Sequence, residues 1–158
     1  MRRAVMNSKL YYEEITLEHL DELADLYVET FNSEPWNDEW TVDTAKKRLH
    51  QIINTEDSYG ICVYCDGIMC GGILGCVEQF YNAQMFNLKE FWVKNGMRGQ
   101  GIGSCAFSEL ERRLREKQIG EIFLFTSKGD FTEHFYEKQN VKTNTNLIIM
   151  EKQLLVAM

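Results

Sequence analysis

Apolar positions along this chain change their spacing from two residues to about 3.6 and back several times, and each change marks an element. Residues 9–15 (KLYYEEI) read as a first strand. Thr16 can cap a helix running to about residue 31, with Leu20, Leu23, Ala24, Tyr27 and Phe31 on one face. The segment FNSEPWNDEW breaks that period and is a loop. Thr41 can cap a second helix, whose apolar side is Val42, Ala45, Leu49, Ile52 and Ile53, ending near Asn54. A hairpin follows over residues 59–64 and 68 to about 80, turning at Asp66-Gly67, and Gly71-Gly72 suggests a bulge or close backbone approach in its second strand.

Residues 86–94 (FNLKEFWVK) predict another strand, and the glycine-rich NGMRGQGIGS leads into a helix from about 103 to 117. Ile102, Ala106, Leu110 and Leu114 form its buried stripe, and Gly120 ends it. The unbroken apolar run 121–126 (EIFLFT) reads as a strand buried on both faces. Asp130 can cap a short helix with Phe131, Phe135 and Tyr136, Asn140 is a left-handed terminator, and residues 145–155 predict a closing strand. The order βααβββαβαβ implies an α/β fold with helices on both faces of a mixed sheet. Strand 86–94, the helix and strand 121–126 should form a right-handed parallel crossover.

Length agrees with one domain over residues 1–158, at roughly 100 to 200 residues per domain. Hydrophobic residues at 44% and charged residues at 26% are those of an ordinary globular protein, which excludes disorder and collagen-like repeats. No apolar run reaches the roughly 18 residues of a membrane span, and the start carries no secretory h-region, so a cytoplasmic location is expected. Met6 is an alternative start to Met1, since residues 1–5 look unstructured. A net charge of −7 disfavours nucleic acid and acidic membranes and favours a cationic partner. Five cysteines without a signal segment argue for reduced thiols. Cys62 and Cys65 have a C-x2-C spacing, but on one strand residues three apart face opposite sides, so no metal is expected.

The candidate chemistry lies in Arg98-Gly99-Gln100-Gly101-Ile102-Gly103-Ser104, between a strand and a helix. Such glycines let successive N–H groups converge, and a helix N-terminus adds about half a positive charge, so the loop suits a phosphate group. No lysine follows these glycines, which rules out an ATP-binding P-loop. The dinucleotide fingerprint would place its third glycine at Ser104. Glycines serving only close helix-to-strand packing are the plainer alternative.

The same loop resembles the pyrophosphate loop Q/R-x-x-G-x-G/A of the GNAT superfamily of acetyl-CoA-dependent N-acyltransferases. Phe135-Tyr136-Glu137-Lys138 is similar to that family's F-Y-x-K, Lys89-Glu90-Phe91-Trp92-Val93 looks like the strand before its loop, and the element order over residues 9–155 agrees. Asn140-Val141 departs from the frequent Gly-Phe after F-Y-x-K. The resemblance implies a mostly antiparallel mixed sheet of six to seven strands. It also implies acetyl-CoA held by the Trp92 and Val93 backbone and by the N–H groups of Arg98, Gly99, Gln100, Gly101, Ile102, Gly103 and Ser104. Tyr136 would be the general acid at the thioester sulfur, or else a packed core tyrosine. Dimers are common in the family, so a homodimer is compatible.

Acyl transfer needs a neutral amine, and for an amine with the pKa of lysine that form costs roughly 4–5 kcal/mol at pH 7. Glu90 is the candidate base, against the alternative that it decorates a strand face; the Val93 amide is the candidate oxyanion donor. The resemblance puts the acceptor near the first two helices and the hairpin, where Glu34, Trp36, Asp38, Glu39 and Trp40 offer the acids and aromatic faces that suit a cation. These acids could equally be a solvated loop. A small cationic amine such as a polyamine or aminoglycoside is the first expectation. A protein lysine or N-terminus, and a non-catalytic CoA-binding module, are the alternatives.

Overall fold

The computed structural model describes residues 9–155; Met1 and Met6 lie outside the described residues. They form two compact units, divided between Phe125 and Thr126. The first contains β1 (Leu10–Glu14), a 3-10 turn (Leu17–His19), α1 (Leu20–Phe31), α2 (Val42–Ile53), β2 (Ser58–Cys65), β3 (Ile68–Gln79), β4 (Gln84–Val93), α3 (Ile102–Glu116) and β5 (Glu121–Leu124). The second carries α4 (Phe131–Lys138).

Local chemistry explains the boundaries. Thr16 caps as expected, but its capping box with His19 closes a 3-10 turn and α1 begins only at Leu20. Thr41 caps α2 in a reciprocal pair with Thr44. Asp130 accepts from the Thr132 and Glu133 amides at the start of α4, and Asn140 beyond its end has φ of 66°.

The sheet runs β1-β2-β3-β4-β5, antiparallel except for the β4–β5 pair. Its α1/α2 side packs Leu23, Ala24, Tyr27, Ala45, Leu49, Ile52, Cys62, Leu74 and Trp92. Val63, Cys65, Cys70, Val93, Ile102 and Ala106 form a separate cluster on the α3 side. Cys62 and Cys65 thus face opposite sides, as an extended strand requires. Among the described residues no helix is long and apolar enough to cross a membrane.

Two one-residue mismatches shape the centre of the sheet. Val63 pairs with Gly71 and Tyr64 with Met69, so Cys70 is the extra residue of a bulge beside the predicted glycine pair. Leu74 pairs with Glu90 and Gly75 with Leu88, which makes Lys89 the extra residue of a bulge in β4. Close approach is most severe at Gly75, where a Cβ would stand 2.1 Å from the Asn87 carbonyl oxygen.

Two expectations need correction. Five strands form among the described residues, not six or seven, because residues 145–155 pair with no strand. Their apolar residues run consecutively from Leu147 to Met150, and a strand exists only with a ladder partner; here Leu147, Ile148, Ile149 and Met150 are 60–83% exposed. The run 121–126 is shorter and more open than its composition implies, with β5 ending at Leu124, half-buried at Ile122, Phe123 and Leu124, and Phe125 73% exposed.

Gly75→Ala should destabilise the fold by about 1–3 kcal/mol, since the added methyl meets backbone that cannot retreat. Gly120→Ala, whose Cβ would meet Ala83 at an ordinary 3.4 Å, should stay within about 0.5 kcal/mol of the parent. Paired urea titrations check both; an unaffected Gly75→Ala would show that β3 and β4 can separate there.

Candidate active site

The bulge at Lys89 decides which way the end of β4 points. Directly paired residues of neighbouring strands share a face, so Leu88, opposite Gly75, lies on the face away from Leu74. Glu90, opposite Leu74, lies on the α1/α2 face with Trp92, opposite Gly72. Without the extra residue, the two-residue period would have kept Glu90 on the same face as Leu88. Phe91 and Val93 turn the other way, Phe91 stacking near Phe107 of α3 at 6.4 Å between centroids and Val93 packing with Ile102 and Ala106.

Glu90 is well covered and its Oε1 accepts two hydrogen bonds, from the Tyr27 hydroxyl at 3.0 Å and from Arg48 Nε at 3.0 Å. Burial pushes its carboxyl above the usual carboxylate range, while Arg48 and the Tyr27 hydrogen bond pull the other way without cancelling it. The Tyr27 hydroxyl is raised well above its ordinary value by its own burial and by the Glu90 charge.

Aromatic rings surround this pair. Tyr27 meets Phe31, Trp40 and Trp92 at centroid distances of 4.6, 5.1 and 5.2 Å, and Phe31 meets Trp36 at 4.9 Å. Gly72 makes room for the Trp92 indole, since a Cβ there would lie 3.0 Å from the ring and 3.2 Å from Leu23. The Trp92 indole N–H is buried without a hydrogen-bond partner among the described residues. Trp40 Nε1 donates to Asp38 at 3.1 Å, and Asp38 and Glu34 are exposed beside half-buried Trp36 and Trp40. The loop is tied down by Asn32, whose amide exchanges hydrogen bonds with the Trp40 backbone at 2.8 Å each.

The other half of the site is backbone. β5 pairs with β4 only over Met85–Leu88, while β4 continues to Val93, so the two parallel strands part beyond Leu88. The Lys94 amide donates to the Cys70 carbonyl on β3 at 2.7 Å, and because successive amides alternate in direction, the Val93 N–H points to the parted side. The chain then turns through Gly96, Gly99 and Gly101, with φ of 82°, 79° and 84°, a region open to glycine at little cost. Gly101 caps α3 without any side-chain hydrogen bond, and the first turn carries no acid, so the amides of Ile102, Gly103 and Ser104 face outward with the helix dipole behind them.

This loop is braced from α1. Arg98 Nη1 donates to Asn95 Oδ1 at 2.8 Å, and Asn95 Nδ2 donates to the Glu29 carbonyl and Ser33 Oγ, both at 3.0 Å. Arg98 also lies over the Trp36 ring at 5.2 Å, and Gln100 Nε2 reaches the Gly96 carbonyl at 3.4 Å. The Arg98 side chain is therefore occupied within the protein, which leaves backbone amides as its segment's means of holding an anion.

The first unit thus brings together Glu90, Trp92, Val93, the loop Arg98 to Ser104, Trp36, Asp38 and Trp40. Tyr136 is half-buried on α4 of the second unit, 5.3 Å from Phe135 between ring centroids. Sequence reasoning missed Tyr27 and Arg48 as partners of Glu90. Tyr27 was visible only as a member of an apolar stripe, and Arg48 had no signal beyond its place next to Leu49 on an amphipathic helix.

The sequence profile of the acetyltransferase (GNAT) family matches residues 20–140. No curated protein sequence matches the chain. Among solved structures it is similar to one described as a possible acetyltransferase from Clostridium difficile 630, at a TM-score of 0.78 and 16% identity, covering 93% of this chain and 99% of that one. An aminoglycoside acetyltransferase from an uncultured soil metagenomic sample matches at a TM-score of 0.70 and 19% identity, over 92% and 97% of the two chains. An aminoglycoside N-acetyltransferase in complex with CoA matches at 0.69 and 14%, over 93% and 96%. At these identities the likeness is one of fold.

Because the folded value of Glu90 is raised, the stability it contributes is greatest below the ordinary carboxylate pKa and is lost as pH rises through the folded one. Arg48→Gln should enlarge that loss. The variant should be less stable than the parent by about 1–3 kcal/mol at pH 7, and the gap should shrink toward pH 4 as the carboxyl takes up a proton. Urea titrations across that range check it; a gap independent of pH would mean that Arg48 acts by packing alone.

Proposed function

The chain belongs to the acetyltransferase (GNAT) family, whose members use acetyl-CoA, and we propose that residues 1–158 act as one domain that acetylates the primary amine of a small cationic compound in a ternary complex. The observation that carries this reading is the pairing, along one strand, of a covered carboxylate at Glu90 with an outward-facing backbone anion cradle from Val93 to Ser104.

The cradle fits the cosubstrate on its own chemistry. Three left-handed glycines and an uncapped helix start suit a pyrophosphate, and the parted edge of β4 offers main-chain groups to an extended amide-bearing arm. Acetyl-CoA supplies, when bound, a thioester that an amine attacks at its carbonyl and that releases a thiol. In this reading the backbone of Trp92 and Val93 aligns the arm, and the Val93 N–H donates to the oxygen that gains charge. The amides of Arg98, Gly99, Gln100, Gly101, Ile102, Gly103 and Ser104 hold the phosphates.

Glu90 takes the proton from the ammonium form of the acceptor, directly or through a water, and its raised pKa brings it closer to the working pH than a solvated carboxylate. Tyr136 gives a proton to the departing sulfur. Asp38 and Glu34 draw in the cation, while the half-buried Trp36 and Trp40 present faces to it. The acceptor named for two similar structures supports an aminoglycoside-like compound ahead of a bare polyamine.

The Arg48 ion pair favours a second reading for Glu90 alone, in which it fastens α2 to β4 and water removes the proton. The deciding experiment is thiol release from acetyl-CoA with aminoglycosides, polyamines, amino acids and basic peptides, with acceptor-free controls for the protein's own five cysteines. Turnover is expected on the aminoglycosides; turnover confined to peptides would overturn the acceptor class. With a substrate in hand, Glu90→Gln should lower kcat by roughly 100-fold or more and abolish the acidic limb of the kcat/KM profile. A fall below threefold with that limb intact would select the second reading. Tyr136→Phe should lower kcat with little change in the KM for acetyl-CoA, whereas an unchanged kcat would remove it as the acid.

Asp38→Asn should raise KM for a multiply charged acceptor about three- to tenfold, less so at high salt, as expected for an exposed charge acting through screened attraction. Steady-state kinetics at two ionic strengths check it, and an unchanged KM would return the acidic loop to plain solvation.

A further inference from the structure

Arg98 stands where two irregular stretches of the chain meet. One is the loop between β4 and α3, whose backbone turns at Gly96, Gly99 and Gly101. The other is the segment between α1 and α2 that carries Glu34, Trp36, Asp38 and Trp40. The Arg98 guanidinium reaches from the first to the second. Its Nη1 donates to Asn95 Oδ1 at 2.8 Å and to the Val93 carbonyl at 3.4 Å, its Nη2 donates to the Glu34 carbonyl at 3.5 Å, and its Cζ lies 5.2 Å from the centre of the Trp36 ring. Asn95 extends the link, donating to the Glu29 carbonyl and to Ser33 Oγ at 3.0 Å each. Arginine suits such a junction, because one planar group hydrogen-bonds in its plane and stacks through its face.

The 33–40 segment has bonds of its own. The Trp36 and Asn37 amides donate to the Ser33 carbonyl and the Asp38 amide to the Phe31 carbonyl, so the turn does not depend on Arg98 to form. What Arg98 adds is a tie to the other loop, and that loop is costly to order: Gly96 and Gly99 flank Arg98 with φ of 82° and 79°, and glycine loses the most backbone freedom when fixed. An anion seated on successive amides fixes this backbone, and with it the origin of the side chain that holds Trp36. We propose that Arg98 is a positioning residue that couples the two sites: order imposed on its loop by acetyl-CoA passes through the guanidinium to Glu34 and Trp36, so that each ligand tightens the binding of the other. A ligand that meets a segment already ordered has less freedom to remove, and such coupling is reciprocal. The proposal rests on the reading of these two loops as the acetyl-CoA and acceptor sites.

Hydrogen exchange on the full chain, with and without saturating CoA, tests it. Protection over residues 99–105 reports that CoA is bound. In the parent, CoA should also slow exchange over 33–41 by about threefold or more. In Arg98→Gln, at CoA concentrations that again protect 99–105, the 33–41 segment should no longer respond. A simple brace would loosen 33–41 equally with and without CoA; that result, or a parent segment indifferent to bound CoA, overturns the coupling alone. A parent that fails to bind CoA overturns the cosubstrate reading together with the coupling. Should Arg98→Gln fail to fold, Trp36→Leu removes the stacked ring while keeping the bond to Asn95, and it should lose the same response. With an acceptor in hand, Arg98→Gln should raise the acceptor KM roughly five- to tenfold at saturating acetyl-CoA, with kcat changed by less than about twofold. A lowered kcat at unchanged KM would overturn the positioning role.

Discussion

The extra residue at Lys89 sets one central strand two tasks. Before the bulge β4 is an ordinary member of the sheet, paired on both sides with β3 and β5. After it, Glu90 and Trp92 look toward α1 and α2, while Phe91 and Val93 stay against α3. The polar chemistry of a carboxylate and the main-chain chemistry of an anion loop thereby sit on one continuous stretch of backbone. β3 accommodates the irregularity with glycines at 71, 72 and 75, where side chains would meet the backbone or indole of β4. Shape at this point depends on what β3 lacks as much as on what β4 carries.

The electrostatics around Glu90 balance three effects. Burial alone would leave the carboxyl neutral and poorly suited to hold a cation nearby; a full ion pair with Arg48 would leave it a weak base. The observed arrangement is intermediate. Arg48 engages one oxygen through Nε only, a neutral hydroxyl takes the same oxygen, and the side chain stays above its ordinary pKa. Tyr27 therefore joins the polar centre to the aromatic wall, because its ring packs against Trp40 and Trp92 while its hydroxyl meets the carboxylate.

Elements were legible in the sequence wherever local chemistry decided them. Thr41 and Asp130 cap, Asp66-Gly67 turns, Asn140 takes the left-handed region, and the glycine loop leads into α3, all from short-range preferences. Tyr27 and Arg48 were not legible as partners of Glu90, since they stand 63 and 42 residues away and nothing local marks the contact. Nor was the face of Glu90, because a two-residue period carries no information about where one residue is skipped. The segment 145–155 failed for a different reason: composition reports that a stretch favours extended structure, and pairing is a property of whatever lies beside it.

That last distinction bears on how the two ends of the sheet are built. A strand such as β1 can end a sheet in water because charge makes further pairing costly. A strand such as β5, apolar at nearly every position, can end a sheet only at the expense of exposed surface. The asymmetry between the two edges is written in adjacent residues, Glu13 and Glu14 on one and Ile122, Phe123 and Leu124 on the other. It makes the sheet directional: charged at the β1 edge and apolar at β5, the side on which β4 parts from its neighbour and presents Val93.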